Sequence, residues 1–305
     1  LSTVRQPIPP EIEDLLALQQ RELMKIERSS LKQMNSALRE AKKTLRNKIR
    51  TLGSGADPYT LARHRAMLLQ VEDASRVLTK RAGVALSEGT KKARQRSIEH
   101  LATKIGLAEK HFLFESVIPF KEVERLLTKN SKLRTIELLR IKRGSAKYGL
   151  DLVESMERRL AHCLLTNQTM QQAAASILGK GPWADKSWKA ERLVRTEVSY
   201  AYNAVDRVGL DRVARGDKNL WIEWYEHATG PRWAGPTKKP WPGPAVPTDK
   251  RTAHDSLRLH GQLRRPGQLF EDPTTGMQFA HPPNRPNCRA SLALVRVDPV
   301  EEKAG

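Results

Sequence analysis

The chain is 305 residues long, 39% hydrophobic and 29% charged, with a formal net charge of +20. That length and apolar content leave room for two domains with buried cores. No apolar run approaches the length of a membrane span, which argues against a membrane protein and for a soluble one made in the cytoplasm.

The charge is uneven. Residues 1–150 hold 31 Lys and Arg against 16 Asp and Glu, and residues 151–305 hold 23 against 18. A basic excess on one half is the footprint of a polyanion, most often nucleic acid. No aromatic residues interleave the basic stretches, so the expected contact is to phosphates, salt-sensitive and blind to sequence. Cys163 and Cys288 lie far apart and outside any C-x-x-C. This points to a reducing compartment, with Cys163 a small buried residue on a helix.

In chain order, residues 1–10 read as an extended lead-in ending at Pro9-Pro10. A helix follows from Glu11, whose acidic first turn suits the positive end of the helix dipole. Met24, Leu31, Leu38, Leu45 and Leu52 recur every seven residues, with Met34 and Ala41 between them. Either a coiled coil with another subunit or a helix of an internal bundle has this pattern. Lys48, at a seam position, favours the bundle. Arg39, Lys42, Lys43, Arg46 and Arg50 ride the flanking faces as phosphate-contact candidates.

Gly53 and Gly55 break the helix, and Asp57-Pro58 predicts a restart as N-cap and first-turn proline. Gly83 and Gly89 predict interruptions. The patch Lys91, Lys92, Arg94, Arg96, a second set of phosphate candidates, then opens a helix through Leu107. An apolar connector, Phe112 to Phe120, leads to helices at Lys121–Lys129 and Leu133–Leu165, the second bent near Gly144 and Gly149. Thr166 is the expected cap of a short helix ended by Gly179-Lys-Gly-Pro182. That tetrad lacks the G-x-x-x-x-G-K-[ST] of a phosphate loop and no strand precedes it, so no nucleotide site is expected there.

A last helix spans Ser187–Arg215, with Arg195 and Glu197 on neighbouring faces, placed to tie loops to the helix through charge-assisted hydrogen bonds. Leu220–Tyr225 and Leu292–Val297 read as strands of one small sheet, with short strands near Phe270 and Phe279 joining it. Between them, Thr229–Thr248 is rich in Pro and Trp. The expected fold is therefore mainly α. A helical N-terminal domain of long helices, 1–186, precedes a small α+β C-terminal module, 187–305, with a short antiparallel sheet and a loop-rich tail.

The tail carries an ordered set of short motifs. Asp249, Arg251 and Thr252 give D-x-R-T; His260, Gly261 and Gln262 give H-G-Q. Phe270, Pro282-Pro283 and a closing Asn287-Cys288-Arg289 follow. Upstream stand Arg195-Thr196-Glu197, Ala201 and Asn203, then the aromatic strand. Over roughly residues 190–297 this order resembles the C-terminal domain of the phage Mu F-like head morphogenesis proteins. The chain departs from that pattern at Ser256, where a His is usual, and at Ala290, where a second Cys is usual. The resemblance implies a minor head protein without enzymatic activity or cofactor. Its expected place is the virion near the portal vertex. Its expected partners are the portal, other head proteins and double-stranded DNA, with self-association through the first helix a further option and no membrane. It also implies that Arg195, Glu197, Asp249, Arg251, His260, Gly261, Asn287, Cys288 and Arg289 hold the module together.

Two competing readings come from the same residues. His254, His260, His281 and Cys288 could supply a metal-dependent nuclease, but the histidines lack i, i+4 spacing and no second cysteine completes a site. A stand-alone, non-specific DNA-binding protein is the other, although no helix-turn-helix or zinc finger is visible.

Overall fold

Pro9 and Pro10 start the first long helix. The carbonyl of Pro9 accepts from the amides of Ile12 and Glu13, at 3.0 and 3.1 Å. Helix α1 then runs Pro10–Thr51, with Glu11 and Glu13 in its first turn and Lys48 and Arg50 in its last. Both ends thus carry the charge that the helix dipole favours. The computed structural model describes residues 3–52, 58–114, 119–225, 259–283, 288 and 290–299. Among these the chain is mainly α: α2 is Leu61–Phe112, α3 Phe120–Lys129, α4 Ser131–Leu165, α5 Met170–Leu178 and α6 Lys180–Ala214. The strands are short: β1 Thr3–Arg5, β2 Leu220–Tyr225, β3 Leu263–Arg264, β4 Phe270–Glu271, β5 Gln278–Phe279 and β6 Ser291–Pro299.

Several expected breaks are absent. Helix α2 passes through Gly83 and Gly89, and the basic patch at Lys91–Arg96 lies in its middle. A helical glycine costs only about 1 kcal/mol, and a Cβ on Gly83 would make an ordinary contact with Ser145 of α4 at 3.6 Å. Pro58 does not open α2; it bridges to Thr169 instead, and Asp57 lies outside the described residues. Thr169, not Thr166, caps α5 in a capping box with Gln172. Thr166 turns its hydroxyl back to the carbonyl of His162 at 2.8 Å and belongs to the end of α4. Gly179 ends α5, but α6 starts at once with Lys180. Pro182 falls in that first turn, where the backbone donors have no helical partner to lose.

The chain forms two compact units, one of Leu1–Ile26, Thr90–Thr135 and Arg195–Gly305 and one of Glu27–Gly89 and Ile136–Val194. They are not divided at residue 186, where the composition changes, because each is assembled from separated stretches of the chain.

The second unit is helical. Met34, Leu38, Ala41 and Leu45 of α1 are buried, as are Met67, Val71 and Leu78 of α2 and Leu152, Met156 and Leu160 of α4. Of the seven-residue seam of α1, Leu38 and Leu45 are buried within the chain, whereas Leu31 is half-buried. Lys48 finds Asp73 of α2 at 3.0 Å, and Arg81 of α2 pairs with Glu40. Where α2 meets α4, Ser75 donates to the carbonyl of Gly149 at 2.8 Å. A Cβ on Gly149 would lie 2.0 Å from Thr79 Oγ1 and 2.9 Å from Ser75 Oγ. Gly149→Ala is expected to destabilise by about 1–3 kcal/mol through overpacking. Gly106→Ala on the same kind of backbone, with nothing within 4 Å, should stabilise by about 0.5–1 kcal/mol. Denaturant midpoints of the two variants check the opposite signs.

In the first unit, an antiparallel sheet of order β1-β6-β2-β3 packs on helices. The expected pairing of the two main strands is present, with Leu220 opposite Arg296 and Tyr225 opposite Ser291. Two features differ from expectation. Residues Thr3–Arg5 form the edge strand on β6, pairing Thr3 with Pro299, and Phe270 and Phe279 belong to a separate two-stranded sheet. One core gathers Ile12 and Leu16 of α1, Leu101 and Ile105 of α2, Val123 of α3, Val205 and Leu210 of α6, and Ile222, Trp224 and Leu294 of the sheet.

Candidate functional site

Helix α6 enters the first unit with an unusual sequence, R-T-E-V-S-Y-A-Y-N-A-V-D-R, in which polar and apolar residues are buried together. Arg195, Glu197, Ser199, Asn203, Asp206 and Arg207 are all 8% exposed or less. Buried polar groups are costly unless satisfied, so each needs a partner from another element. Asn203 donates through Nδ2 to the carbonyl of Ser199 at 3.0 Å and to that of Ala290 at 3.4 Å. It thereby joins α6 to the residues just before β6.

Three positions on, Asp206 faces Lys104 of α2, with Nζ to Oδ2 at 2.6 Å and neither side chain exposed. Lys104 also donates to the carbonyl of Leu292 in β6 at 2.7 Å. Burial pushes the Asp206 carboxyl up while Lys104 pulls it down, and burial wins. On the next turns, His100 Nδ1 and Tyr202 Oη lie 2.9 Å apart, and His100 Nε2 lies 3.3 Å from Glu22 of α1. Ser97 donates to the carbonyl of Tyr202 at 2.8 Å.

Arg207 binds the loop module. Its Nε donates to Asp211 at 2.9 Å, Nη1 to the carbonyl of Ala280 at 3.0 Å, and Nη2 to that of Gln268 at 2.7 Å. Its guanidinium lies over Phe270, 5.3 Å from the ring centroid. Asp211 also accepts from the amide of Gly267 at 3.1 Å, in a turn where Gly267 takes φ +81. Such a φ is open to glycine at little cost.

The H-G-Q motif is a second turn on the edge of the sheet. Gly261, at φ +78, donates its amide to the carbonyl of Trp224, and Trp224 donates to that of Gln262, at 2.9 and 3.1 Å. His260 packs its ring against Tyr225 with centroids 5.6 Å apart. On the sheet itself, Arg5 of β1 forks onto the buried Glu223 of β2, with Nε to Oε2 at 2.8 Å.

The sequence-derived site residues thus divide. Arg195, Glu197, His260, Gly261 and Cys288 belong to the first unit, and Cys288 is a buried free thiol. Asp249, Arg251, Asn287 and Arg289, with His254 of the metal candidates, lie outside the described residues, as does the Thr229–Thr248 stretch. The His281 ring packs against Tyr200 in a tilted arrangement, with centroids 4.8 Å apart. Among the described residues no three of His, Cys, Asp and Glu gather as a metal shell. Of the phosphate candidates, Arg39, Lys43, Arg46 and Arg50 are exposed on α1 and Lys91 and Lys92 on α2, whereas Lys42 and Arg94 are half-buried. Arg96 is occupied by Glu22 and Glu99.

Both His100 and His260 are held below their ordinary 6.5. Burial is the larger cause in each; for His260 the Arg5 charge adds to it, and for His100 Glu22 opposes it. Lys104 and Arg96 also lower His100, while Asp206 raises it. A histidine depressed in the folded state contributes stability that is complete above 6.5 and lost as pH falls through its folded value. The melting temperature is therefore expected to fall from pH 7 to pH 5, and His100→Gln/His260→Gln to flatten that fall in a pH-resolved melting series. Asp206 and Glu223, raised from 3.8 and 4.5 by burial, act with the opposite sign. His100 itself lowers Asp206, whereas His260 is no cause of either carboxyl's shift, so the single His260→Gln variant isolates its histidine.

No family model, curated protein or solved structure matches the chain.

Proposed function

We propose that this chain is a minor head protein of a tailed phage, docking near the portal through the α6–sheet module and lying close to packaged DNA. One observation carries the reading. The described residues of the Mu F-like resemblance gather on α6, on the aromatic strand β2 and in the turns that pack on them. Their contacts are architectural: Asn203 reaches the backbone before β6, the Gly261 turn clasps Trp224, and Phe270 stacks edge-on against Trp224 at 5.3 Å. A knob braced in this way suits binding another protein, and we propose no turnover for it.

The exposed cations of α1 and α2, with the net charge of +20, support proximity to DNA through phosphate contacts alone. The test is a pull-down of the tagged chain from an induced lysate. A ring-shaped portal oligomer retained with it is the expected result. Plasmid nicking by the purified chain, abolished by chelator and by His260→Ala, replaces this reading with the nuclease one. Steeply salt-dependent DNA binding with no portal retained replaces it with a stand-alone DNA-binding protein.

A further inference from the structure

We propose that the groove between α1 and α6 in the helical unit is the docking site for an acidic amphipathic helix of a partner protein. The groove has a volume of about 740 Å³. Four cations line it, Arg28, Lys32, Arg39 and Lys42, and no carboxylate does. Arg28, Lys32 and Arg39 are exposed and make no ion pair among the described residues. Elsewhere the same helix does satisfy its charges, Glu40 with Arg81 and Lys48 with Asp73. Lys43, Arg46 and Arg50 of the helix are also exposed without an ion pair among the described residues, so what sets this face apart is that its unpaired cations flank an apolar groove.

The rest of the lining is Leu31, Leu38 and Trp183 together with Asn35 and Ser187, whose hydroxyl donates to Asn35 Oδ1 at 3.2 Å. Leu31 and Leu38 stand one heptad apart, and Trp183 has already given its indole N–H to the carbonyl of Ile177 at 2.8 Å. What Trp183 adds to the groove is hydrocarbon, with the Lys42 ammonium 5.7 Å from its ring. Desolvation and the nearby Arg46 hold Lys42 below its ordinary value, a condition that an incoming carboxylate relieves.

This pairing of surfaces selects the occupant. Residues 28 to 42 span roughly 21 Å of helix, and Leu31 to Leu38 roughly 10.5 Å. A partner helix of about four turns matches both lengths, with apolar residues seven apart over the leucines and carboxylates along the cation stripe. A phosphate backbone would use the cations and leave the apolar floor uncovered. The inference stands independently of the head-protein reading, and it draws Arg39 and Lys42 away from phosphate contact while leaving Lys43, Arg46 and Arg50 to it.

The experiment is fluorescence anisotropy on the full chain at physiological salt. The probes are a labelled Leu/Glu/Ala peptide of about three heptads, a scrambled peptide of equal composition, and a short DNA duplex. The patterned peptide is expected to bind at least about tenfold more tightly than the scrambled one. Both Lys32→Glu/Arg39→Glu, on exposed positions, and Leu31→Gln, on the floor, are expected to weaken it about tenfold. Equal binding of the two peptides overturns the proposal. So does a Leu31→Gln protein that binds the peptide unchanged while the charge variant loses the duplex, which assigns the groove to nucleic acid. Self-association abolished by the same variants assigns it to a second copy and overturns it as well.

Discussion

Lys104→Met is expected to cost about 3–5 kcal/mol of unfolding free energy, because it leaves Asp206 buried without its cation. The same change removes the donor to the carbonyl of Leu292 in β6, so three elements lose their common tie. The pair itself need not be a net source of stability: desolvating two charges offsets much of their attraction. Lys104→Met/Asp206→Leu is accordingly expected to recover most of the loss. The single variant should also carry a pH signature. With the lysine gone, the Asp206 carboxyl rises further, and a carboxyl raised in the folded state favours folding at low pH and loses that contribution as pH rises through its folded value. The deficit should therefore shrink between pH 7 and pH 5. Chemical denaturation followed by circular dichroism at both pH values decides it. A loss below about 1 kcal/mol at pH 7, on the scale of an ordinary surface substitution, contradicts the assignment.

Arg207→Met is the second large effect, about 3 kcal/mol, since two loop carbonyls and Asp211 lose a charged donor. The damage should be regional. Gln268 and Ala280 are tied to α6 through this one side chain, so segment 259–283 is expected to open locally before the rest unfolds. Trypsin cleavage after Arg264 measures that opening directly, since Pro266 blocks the bond after Arg265. Arg207→Lys should not restore protection, because a lysine cannot reproduce the planar fork that reaches both carbonyls. Unchanged cleavage kinetics in Arg207→Met would show that the loop is held by other contacts.

These two residues also mark where sequence reading stopped. Leu220–Tyr225 and the final strand were visible because each is a short apolar and β-branched run bounded by turn residues. The first long helix was visible through its seven-residue apolar seam. Gly83, Gly89 and Pro182 misled because a breaker acts only where it removes a bond or a contact. In α2 the glycine at 83 costs only about 1 kcal/mol and leaves the helix unbroken, and Pro182 occupies a turn with no bond to lose. The Lys104–Asp206 pair joins residues 102 apart, and neither carries a local mark of its partner. The hint in the sequence was an Asp-Arg step on a helix whose Val198, Ala201 and Val205 are interleaved with Ser199 and Asn203. His260 and Gly261 were legible as a turn from their composition, while the carbonyl of Trp224 that the turn serves was not.

The edge strand has a consequence for synthesis. Thr3 is paired with Pro299, so β1 must wait for β6 to be made before their ladder can form. Contacts of such long sequence separation are slow to close. Helical segments such as 27–89 can meanwhile collapse on neighbours nearby in the chain. Nascent molecules are therefore expected to carry an ordered helical part and an unclosed sheet, vulnerable to strand exchange with other copies until β6 is made.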